Sequence, residues 1–243
     1  MNSTIIKKKK RQKIKVITLN LKSCSLTTLE NIMEFFRTER CDIICLQELD
    51  VDTQKFKHNL CQLLAENYGY YSKFQKSVKR HNGGYEGLSI LSKHPILQYQ
   101  SIPYQHFKEK RFIQKIKIFH PELNQEISII NTHLDYMDCN ELQLQQLKQY
   151  VSDLDSPYFL VCGDLNITPS KILQRTDLKG FLHNIVDESF TYTSKRPKEK
   201  LDYIIMSDDL LQSYKYKYTI PNNKLSDHKA LILHIYKNKK NMN

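Results

Sequence analysis

The chain has 243 residues, enough for one large domain or two small ones with a substantial core. Hydrophobic residues make up 40% and charged residues 26%, a composition that excludes a disordered or fibrous chain. The formal net charge is +11, but ten of the basic side chains lie in residues 1–15 and 237–243, which contain no acids. Such basic tails, expected at 1–12 and 238–243, are usually disordered and also suit contact with nucleic acid or an anionic membrane.

The sequence favours an intracellular protein, cytoplasmic or nuclear. No apolar stretch approaches the roughly 18 residues of a membrane span. Ile5-Ile6 runs straight into four lysines, where a secretory signal needs its apolar segment, so we expect no such signal. The cysteines form no C-x-x-C pair and are expected to be buried, reduced thiols. We also expect a monomer. The six cysteines are Cys24, Cys41, Cys45, Cys61, Cys139 and Cys162.

The first half of the chain predicts strands that alternate with helices. The strands are expected at 15–19, 42–46 and 70–74, where apolar and β-branched residues run together. Apolar residues at helical spacing predict one helix from Ser25 or Thr27 and a second over 53–66. The segment 75–86 is basic and contains a Gly83-Gly84 pair, which predicts a flexible loop.

The second half repeats this alternation. The predicted strands are 87–91, 112–119, 126–130, 158–162, 201–206 and 230–236. A helix rich in Leu and Gln is predicted over 142–151, and a basic loop at 195–200. No domain linker or tandem repeat is visible, so residues 13–237 are expected to form one catalytic domain. Alternating strands and helices predict an α/β fold.

Polar residues follow several of these strands. The strand at 158–162 leads into Gly163-Asp164-Leu165-Asn166, in which an acid and a carboxamide two positions apart can face the same pocket. The acid can bind a hard cation or activate water, and the carboxamide can hold a phosphate oxygen. Alone, the motif equally fits a turn. The pattern recurs at Asn20, Glu48, His133, Asp202, Asp227 and His228.

These strand ends resemble the motifs of the endonuclease/exonuclease/phosphatase superfamily, which includes deoxyribonucleases, inositol-polyphosphate phosphatases and neutral sphingomyelinases. The resemblance implies a four-layer α/β sandwich, in which two mixed β-sheets pack face to face between outer helices and the site lies at one edge of both sheets. The matching stretches occur in family order over about residues 17–236. They are Thr18-Leu19-Asn20, Leu46-Gln47-Glu48, Asn131-Thr132-His133-Leu134, Gly163-Asp164-Leu165-Asn166, Leu201-Asp202-Tyr203-Ile204 and Ser226-Asp227-His228.

The resemblance also implies metal-dependent hydrolysis of phosphoesters. This reaction must activate water, neutralise the phosphoryl oxygens and stabilise the leaving alkoxide. The expected metal is Mg²⁺, with Mn²⁺ as a substitute, because hard carboxylate oxygens suit both. The implied metal ligands are Glu48, Asp227 and Asn20; the implied catalytic residues are His133, Asp164, Asn166, Asp202 and His228; the implied substrate-binding residues are Asn20 and Arg111.

Each role has a chemical reason and a structural alternative. Asp164 is expected to deprotonate the attacking water, and Asn166 to hold a phosphoryl oxygen. His228 is expected to contact the phosphate, with Asp202 fixing its tautomer and raising its pKa. Taken singly, the same residue types also fit a helix cap, a surface acid or a structural histidine.

The residues leave the substrate open. His133, the basic tails and the basic segments 73–80, 108–117 and 195–200 favour a phosphodiesterase that acts on nucleic acid. The alternative is a phosphatase or phosphodiesterase of inositol or lipid phosphates, drawn to an anionic membrane by its basic tail. A catalytically silent binding module is a third hypothesis, which the complete motif set disfavours. Abasic-site endonucleases carry a tryptophan near the first asparagine of the motif set, whereas this chain contains no tryptophan. Inositol-polyphosphate phosphatases carry an arginine after the aspartate that matches Asp202, whereas this chain has Tyr203 there.

Overall fold

The computed structural model describes residues 13–81, 83–105, 107–136, 139–174, 190–194, 198–222 and 224–237. The two predicted basic tails, 1–12 and 238–243, therefore lie outside the described residues, as do positions 195–197 of the predicted basic loop.

Within the described residues, the regular structure consists of eleven strands, five α-helices and a short 3-10 helix, Lys22–Cys24. The strands are β1 (Lys13–Asn20), β2 (Ile43–Val51), β3 (Tyr71–Lys79), β4 (Tyr85–Ser92), β5 (Ile96–Pro103), β6 (Phe112–His120), β7 (Gln125–His133), β8 (Phe159–Asp164), β9 (Asp202–Met206), β10 (Tyr214–Thr219) and β11 (Leu231–Lys237). The helices are α1 (Leu29–Glu39), α2 (Leu60–Tyr68), α3 (Asn140–Ser152), α4 (Pro169–Gln174) and α5 (Asp208–Ser213).

The strands form two mixed sheets. The six-stranded sheet has the order β10-β11-β1-β2-β4-β3, and the five-stranded sheet has the order β5-β6-β7-β8-β9. Each sheet contains one parallel pair near its centre, β1 with β2 and β7 with β8, and its other neighbours are antiparallel. The carboxyl ends of parallel neighbours meet at the same edge of a sheet, so polar residues that follow such strands are brought together.

Three apolar cores separate the molecule into four layers. Side chains of α1 and α2, such as Phe36 and Leu64, pack against the outer face of the six-stranded sheet. A second core, including Val16 and Ile129, lies between the two sheets. Leu147 of α3 belongs to the third core, on the outer face of the five-stranded sheet. Each such buried side chain contributes about 1.5–3 kcal/mol. The predicted four-layer α/β sandwich is confirmed.

Two predicted elements need correction. The helix expected over 53–66 begins only at Leu60, because Asn59 caps it by accepting a hydrogen bond from the Gln62 N–H at 3.1 Å. The flexible loop expected over 75–86 is mostly strand. β3 continues to Lys79 since it pairs with β4 along its whole length, and only the short connection to Tyr85 lies between the two strands.

Four of these strands and α-helices were not predicted, the edge strands β5 and β10 and the short helices α4 and α5. β5 is an edge strand that pairs only with β6 and leaves much of its surface exposed, so it lacks an apolar signature. α4 and α5 are six residues each, too short to show helical periodicity. Among the described residues, no helix has both the length and the apolar character needed to cross a membrane.

Candidate active site

The register of the five-stranded sheet aligns three of the predicted site residues. His133 at the end of β7 pairs with Asp164 at the end of β8, and Asp164 pairs in turn with Asp202 at the start of β9. Gly163 permits this arrangement: its φ is +144°, and a Cβ there would lie 1.9 Å from the carbonyl oxygen of Thr132. A glycine before Asp164 therefore lets the two central strands approach closely.

The six-stranded sheet supplies Asn20 and Glu48. Glu48 lies in a β-bulge, where the pairing of β2 with β4 shifts register, and it has a left-handed φ of 46°. A bulge re-aims a side chain that regular alternation would send elsewhere. The side-chain amide of Asn20 donates hydrogen bonds to Oε1 of Glu48 at 2.8 Å and to Oδ2 of Asp164 at 3.0 Å. One buried amide thus joins carboxylates from the two sheets.

The orientation of the Asn20 amide is set by its backbone neighbour. The N–H of Lys22 donates to Oδ1 of Asn20 at 2.9 Å, which leaves the amide nitrogen facing the acids. In this arrangement the amide nitrogen of Asn20 holds the two carboxylates in place, and its oxygen accepts from the Lys22 backbone.

His228 lies between two buried acids. Its Nδ1 is 2.8 Å from Oδ2 of Asp202, and its Nε2 is 3.6 Å from Oδ2 of Asp164. Burial alone would lower the pKa of His228, but the negative charges of Asp202 and Asp164 outweigh it and raise that pKa to about 10. The imidazole is therefore protonated at neutral pH and can donate from both nitrogens.

Asp164 has a raised pKa of about 7. Burial of its carboxyl is the main cause and the nearby charge of Asp202 adds to it, whereas His228, the Asn20 amide and the Asn166 N–H act in the opposite direction. A carboxylate with a pKa near neutrality is well suited to act as a general base at neutral pH.

His133 is held from behind by Arg111. The Arg111 guanidinium lies 2.6 Å from Nδ1 of His133 and also donates to Oδ1 of Asp135 at 3.2 Å. Burial, the Arg111 charge and the His228 charge lower the pKa of His133 well below its ordinary value. Because a guanidinium can only donate, Nδ1 of His133 accepts from Arg111, and Nε2 lies 3.8 Å from both Glu48 and Asp164.

Asn166 lies beside the ring nitrogen of His133 that faces away from Arg111. It has a left-handed φ of 50°, and its N–H donates to Oδ1 of Asp164 at 2.9 Å. Its side-chain nitrogen donates to the Leu134 carbonyl at 2.8 Å and lies 3.1 Å from Nε2 of His133. The Asp-x-Asn motif therefore forms a tight turn that presents both of its polar side chains to the same pocket.

Several functional neighbours were missed by the sequence reasoning. The ammonium of Lys22 forms an ion pair with Asp227, and the ring of Tyr192 lies 4.8 Å from that of His228. Asp135 anchors Arg111 and also accepts from Gln143 at 2.9 Å. Asp135 and Lys22 each lie two residues after a motif residue but beyond the end of its strand, so no periodic pattern in the sequence pointed to them.

These side chains surround one open cleft of about 520 Å³. Asn20 and Asp202 are not part of its wall; they contact the wall residues from behind. Every other predicted site residue lines the cleft. Its lining consists of Lys22, Glu48, Arg80, Glu86, Glu109, Arg111, His133, Tyr136, Asp164, Asn166, Thr168, Lys171, Tyr192, Glu199, Leu201, Asp227 and His228.

The donor atoms in the cleft fit a divalent metal ion. Ligand atoms of Asp164, Asp202 and His228 lie within 4.8 Å of one another. Oδ1 of Asp202 is buried and has no hydrogen-bond partner among the described residues, as expected of an atom reserved for a cation. Carboxylate oxygens suit Mg²⁺ and Mn²⁺. The ligand set expected from the sequence, Glu48, Asp227 and Asn20, stays a prediction: Glu48 and Asp227 line the same cleft, and Asn20 contacts its wall from behind.

The geometry agrees with what sequence and structure comparisons find. Residues 17–228 match the model of the Endonuclease/Exonuclease/phosphatase family. The chain belongs to this family. Members of the endonuclease/exonuclease/phosphatase family are usually phosphoester hydrolases and typically depend on a divalent metal. A search of curated proteins found no match.

Solved structures of the endonuclease/exonuclease/phosphatase family share the fold at low sequence identity. Truncated TDP2 from Caenorhabditis elegans is 17% identical with a TM-score of 0.67, over 92% of this chain and 97% of that one. The human Nocturnin catalytic domain, solved with a bound sulfate anion, is 20% identical with a TM-score of 0.65, over 94% and 97%. The endonuclease domain of TRAS1, a telomere-specific non-LTR retrotransposon, is 18% identical with a TM-score of 0.62, over 94% and 100%.

Proposed function

We propose that this protein is a Mg²⁺-dependent phosphodiesterase that hydrolyses nucleic acid. The observation that carries the proposal is the meeting of Glu48, Asp164 and His228 in one cleft, although they come from three distant parts of the chain. Ion pairs and amide contacts link all three, so they act on one bound group rather than on separate ones.

The side chains of the cleft take different chemical roles according to their charge. Oδ2 of Asp164 takes a proton from the attacking water, because its pKa of about 7 suits a base at neutral pH. The imidazolium of His228 donates a hydrogen bond to a phosphoryl oxygen and offsets the charge that develops there. Neutral His133 and the Asn166 amide orient the phosphate from the opposite wall. Two histidines with oppositely shifted pKa values thus take different roles.

The divalent ion would be held by carboxylates at the cleft floor. Glu48 and Oδ1 of Asp202 would supply its carboxylate oxygens, which leaves Oδ2 of Asp164, joined to Glu48 through the Asn20 amide, to take the proton. When bound, the ion would add positive charge to the phosphoryl oxygens and lower the pKa of water.

The rim of the cleft supports nucleic acid as the substrate. Tyr136 lines the cleft with 67% of its surface exposed, and the Lys108 ammonium lies 6.0 Å from its ring. Arg80 and Lys171 line the same cleft. An exposed aromatic ring beside several cations is the arrangement that stacks unpaired bases while contacting the phosphate backbone.

A cleavage panel tests the proposal. Single- and double-stranded DNA and RNA are incubated with the protein in Mg²⁺ or in EDTA, beside phosphoinositide vesicles. We expect Mg²⁺-dependent cleavage of nucleic acid that falls by roughly 10²–10⁴-fold in Glu48→Gln, Asp164→Asn and His228→Ala. Glu126→Gln, which removes an acid distant from the cleft, serves as the matched control. Absence of metal-dependent cleavage of every nucleic acid contradicts the proposal. Phosphate release from phosphoinositides instead, retained after removal of residues 1–12, reassigns the substrate to lipid phosphates.

A further inference from the structure

Lys22 places a positive charge inside the cleft, beside its acids. Its ammonium forms an ion pair with Oδ2 of Asp227, and the same side chain lines the cleft together with Glu48 and His228. The Asp227 side chain is only 6% exposed, whereas that of Lys22 is 46% exposed. A lysine ammonium is protonated at neutral pH, and this side chain is exposed enough to reach a bound substrate.

The backbone fixes the direction of this side chain. Lys22, Ser23 and Cys24 have φ values of 47°, 54° and 52°, a left-handed conformation that residues other than glycine adopt rarely and at a cost. The turn is held on both sides, because the Lys22 N–H donates to Asn20 and the Ser23 hydroxyl donates to Glu86 at 2.6 Å. Cys24 is buried beneath it. The aim of Lys22 into the cleft is thus imposed by the turn and does not depend on the ion pair alone.

The acids of the cleft offer one open site for a divalent ion. A buried carboxylate requires a compensating cation or strong hydrogen bonds. Asp227 has such a cation, because it is paired with Lys22. In the described part of the chain, no lysine or arginine pairs with Glu48, Asp164 or Asp202; the ring of His228 lies beside the last two. Asp164 contacts the same amide as Glu48 and pairs with Asp202 across the sheet, so these three acids form one group for a single divalent ion.

We propose that Lys22 is a substrate-binding residue that takes the place of a second divalent ion. By neutralising Asp227 it limits the cleft to one metal, and its ammonium supplies the substrate phosphate with the positive charge that another ion would bring. An ammonium serves this purpose as a point charge with three donors. The inference rests on the proposed phosphodiesterase function for its substrate, but its metal count can be measured without turnover.

The decisive experiment counts bound Mn²⁺ by electron paramagnetic resonance and isothermal titration calorimetry. We expect one Mn²⁺ per wild-type chain and two per Lys22→Gln chain, because the variant frees Asp227. Lys22→Arg keeps the charge and is expected to bind one. Lys117→Gln breaks a comparable ion pair, with Glu126, outside the cleft and is also expected to bind one. Two ions on the wild-type chain, or one on Lys22→Gln, overturns the proposal. The wild-type count decides even if Lys22→Gln fails to fold.

Kinetics on the nucleic acid cleaved in the panel separate this inference from the proposed function. In Lys22→Gln we expect KM to rise about tenfold or more, the usual effect of losing one charge-assisted hydrogen bond, and the rate to depend more steeply on Mg²⁺. Lys22→Arg should restore most of the KM. If the wild type cleaves and Lys22→Gln shows the same KM and one Mn²⁺, the role of Lys22 is wrong while the function stands. If the wild type cleaves nothing, the function is wrong and the Mn²⁺ counts alone decide the role of Lys22.

Discussion

The Nδ1 atom of His228 lies 2.8 Å from Oδ2 of Asp202, and both side chains are buried. The two residues are 26 positions apart in sequence, and contacts with Thr191 link the two backbone segments that carry them. The Thr191 hydroxyl accepts hydrogen bonds from the backbone N–H groups of Leu201 and Asp202, and its carbonyl accepts from the N–H of Lys229. The pair is therefore held in register by backbone contacts as well as by its own bond.

Asp202→Asn should remove the charge that keeps His228 protonated. The pKa of His228 is expected to fall from about 10, so the alkaline limb of the kcat/KM profile should move to lower pH. The rate at neutral pH should drop by roughly 10²–10⁴-fold. A pH–rate series on the variant, with exposed Asp208→Asn as control, checks this. An unchanged alkaline limb would show that His228 does not act as the proposed cation.

Arg111→Lys should lower kcat although it keeps the positive charge. The Arg111 guanidinium contacts His133 and Asp135 with two different nitrogens, and a lysine ammonium cannot match both positions. We expect kcat to fall about tenfold or more in Arg111→Lys, close to the value for Arg111→Gln. Steady-state kinetics of the two variants test this. Near wild-type kcat in Arg111→Lys would mean that only the positive charge matters.

Gly163→Ala should destabilise the whole domain. The added Cβ would meet the Thr132 carbonyl oxygen at 1.9 Å in a left-handed conformation, and the central strands must separate to accept it. We expect the free energy of unfolding to fall by about 3 kcal/mol or more, measured by urea denaturation. Gly69→Ala is the matched control, since Gly69 also has a left-handed φ (71°) but no atom within 4 Å of the new Cβ. It should cost only about 1 kcal/mol.

His120 should make the fold sensitive to acid. It is buried, neither ring nitrogen has a hydrogen-bond partner among the described residues, and burial with the nearby His94 lowers its pKa to about 4. The pKa of His120 in the folded state is lower than its unfolded value of about 6.5, so the neutral His120 ring contributes its full stabilisation above pH 6.5. This contribution is lost as the pH falls through 4. His120→Phe keeps the ring packing against His94, 4.4 Å away between centroids, and removes the titration.

Urea denaturation at pH 7 and pH 4.5 measures the effect. The loss of stability between these two pH values should be smaller in His120→Phe by about 2 kcal/mol. His58→Phe, at an exposed position, provides the control and should retain the wild-type loss. Equal losses in His120→Phe and wild type would refute the assignment.

The sequence predicted the layers and the site residues better than it predicted the element bounds. β1, β2, β7 and β8 were recognisable because each contains a run of buried residues that leads into a polar residue of the site. Glu48 was identified by its motif, but the bulge that aims it requires a left-handed backbone that no composition rule reveals. Edge strand β5 was missed, since an exposed strand on one side of a sheet carries little apolar signal.

Electrostatic partners were the least predictable part of the site. Arg111 was expected to bind substrate; its guanidinium lines the cleft and also contacts His133 and Asp135, which the sequence did not predict. Lys22 forms an ion pair with Asp227, which was expected to bind the metal ion. Such pairings join residues that are distant in sequence, so only the folded arrangement shows which charge neutralises which.

The order of strands in the six-stranded sheet has a consequence for biosynthesis. β11 pairs with β1, and the two residues His228 and Asp227 directly precede it, so the first and the last described strands complete the cleft together. A nascent polypeptide in which this segment is still inside the ribosome lacks the His228 imidazole and the Asp227 carboxylate. The cleft, and any chemistry that depends on His228, is therefore complete only after translation of this segment has ended.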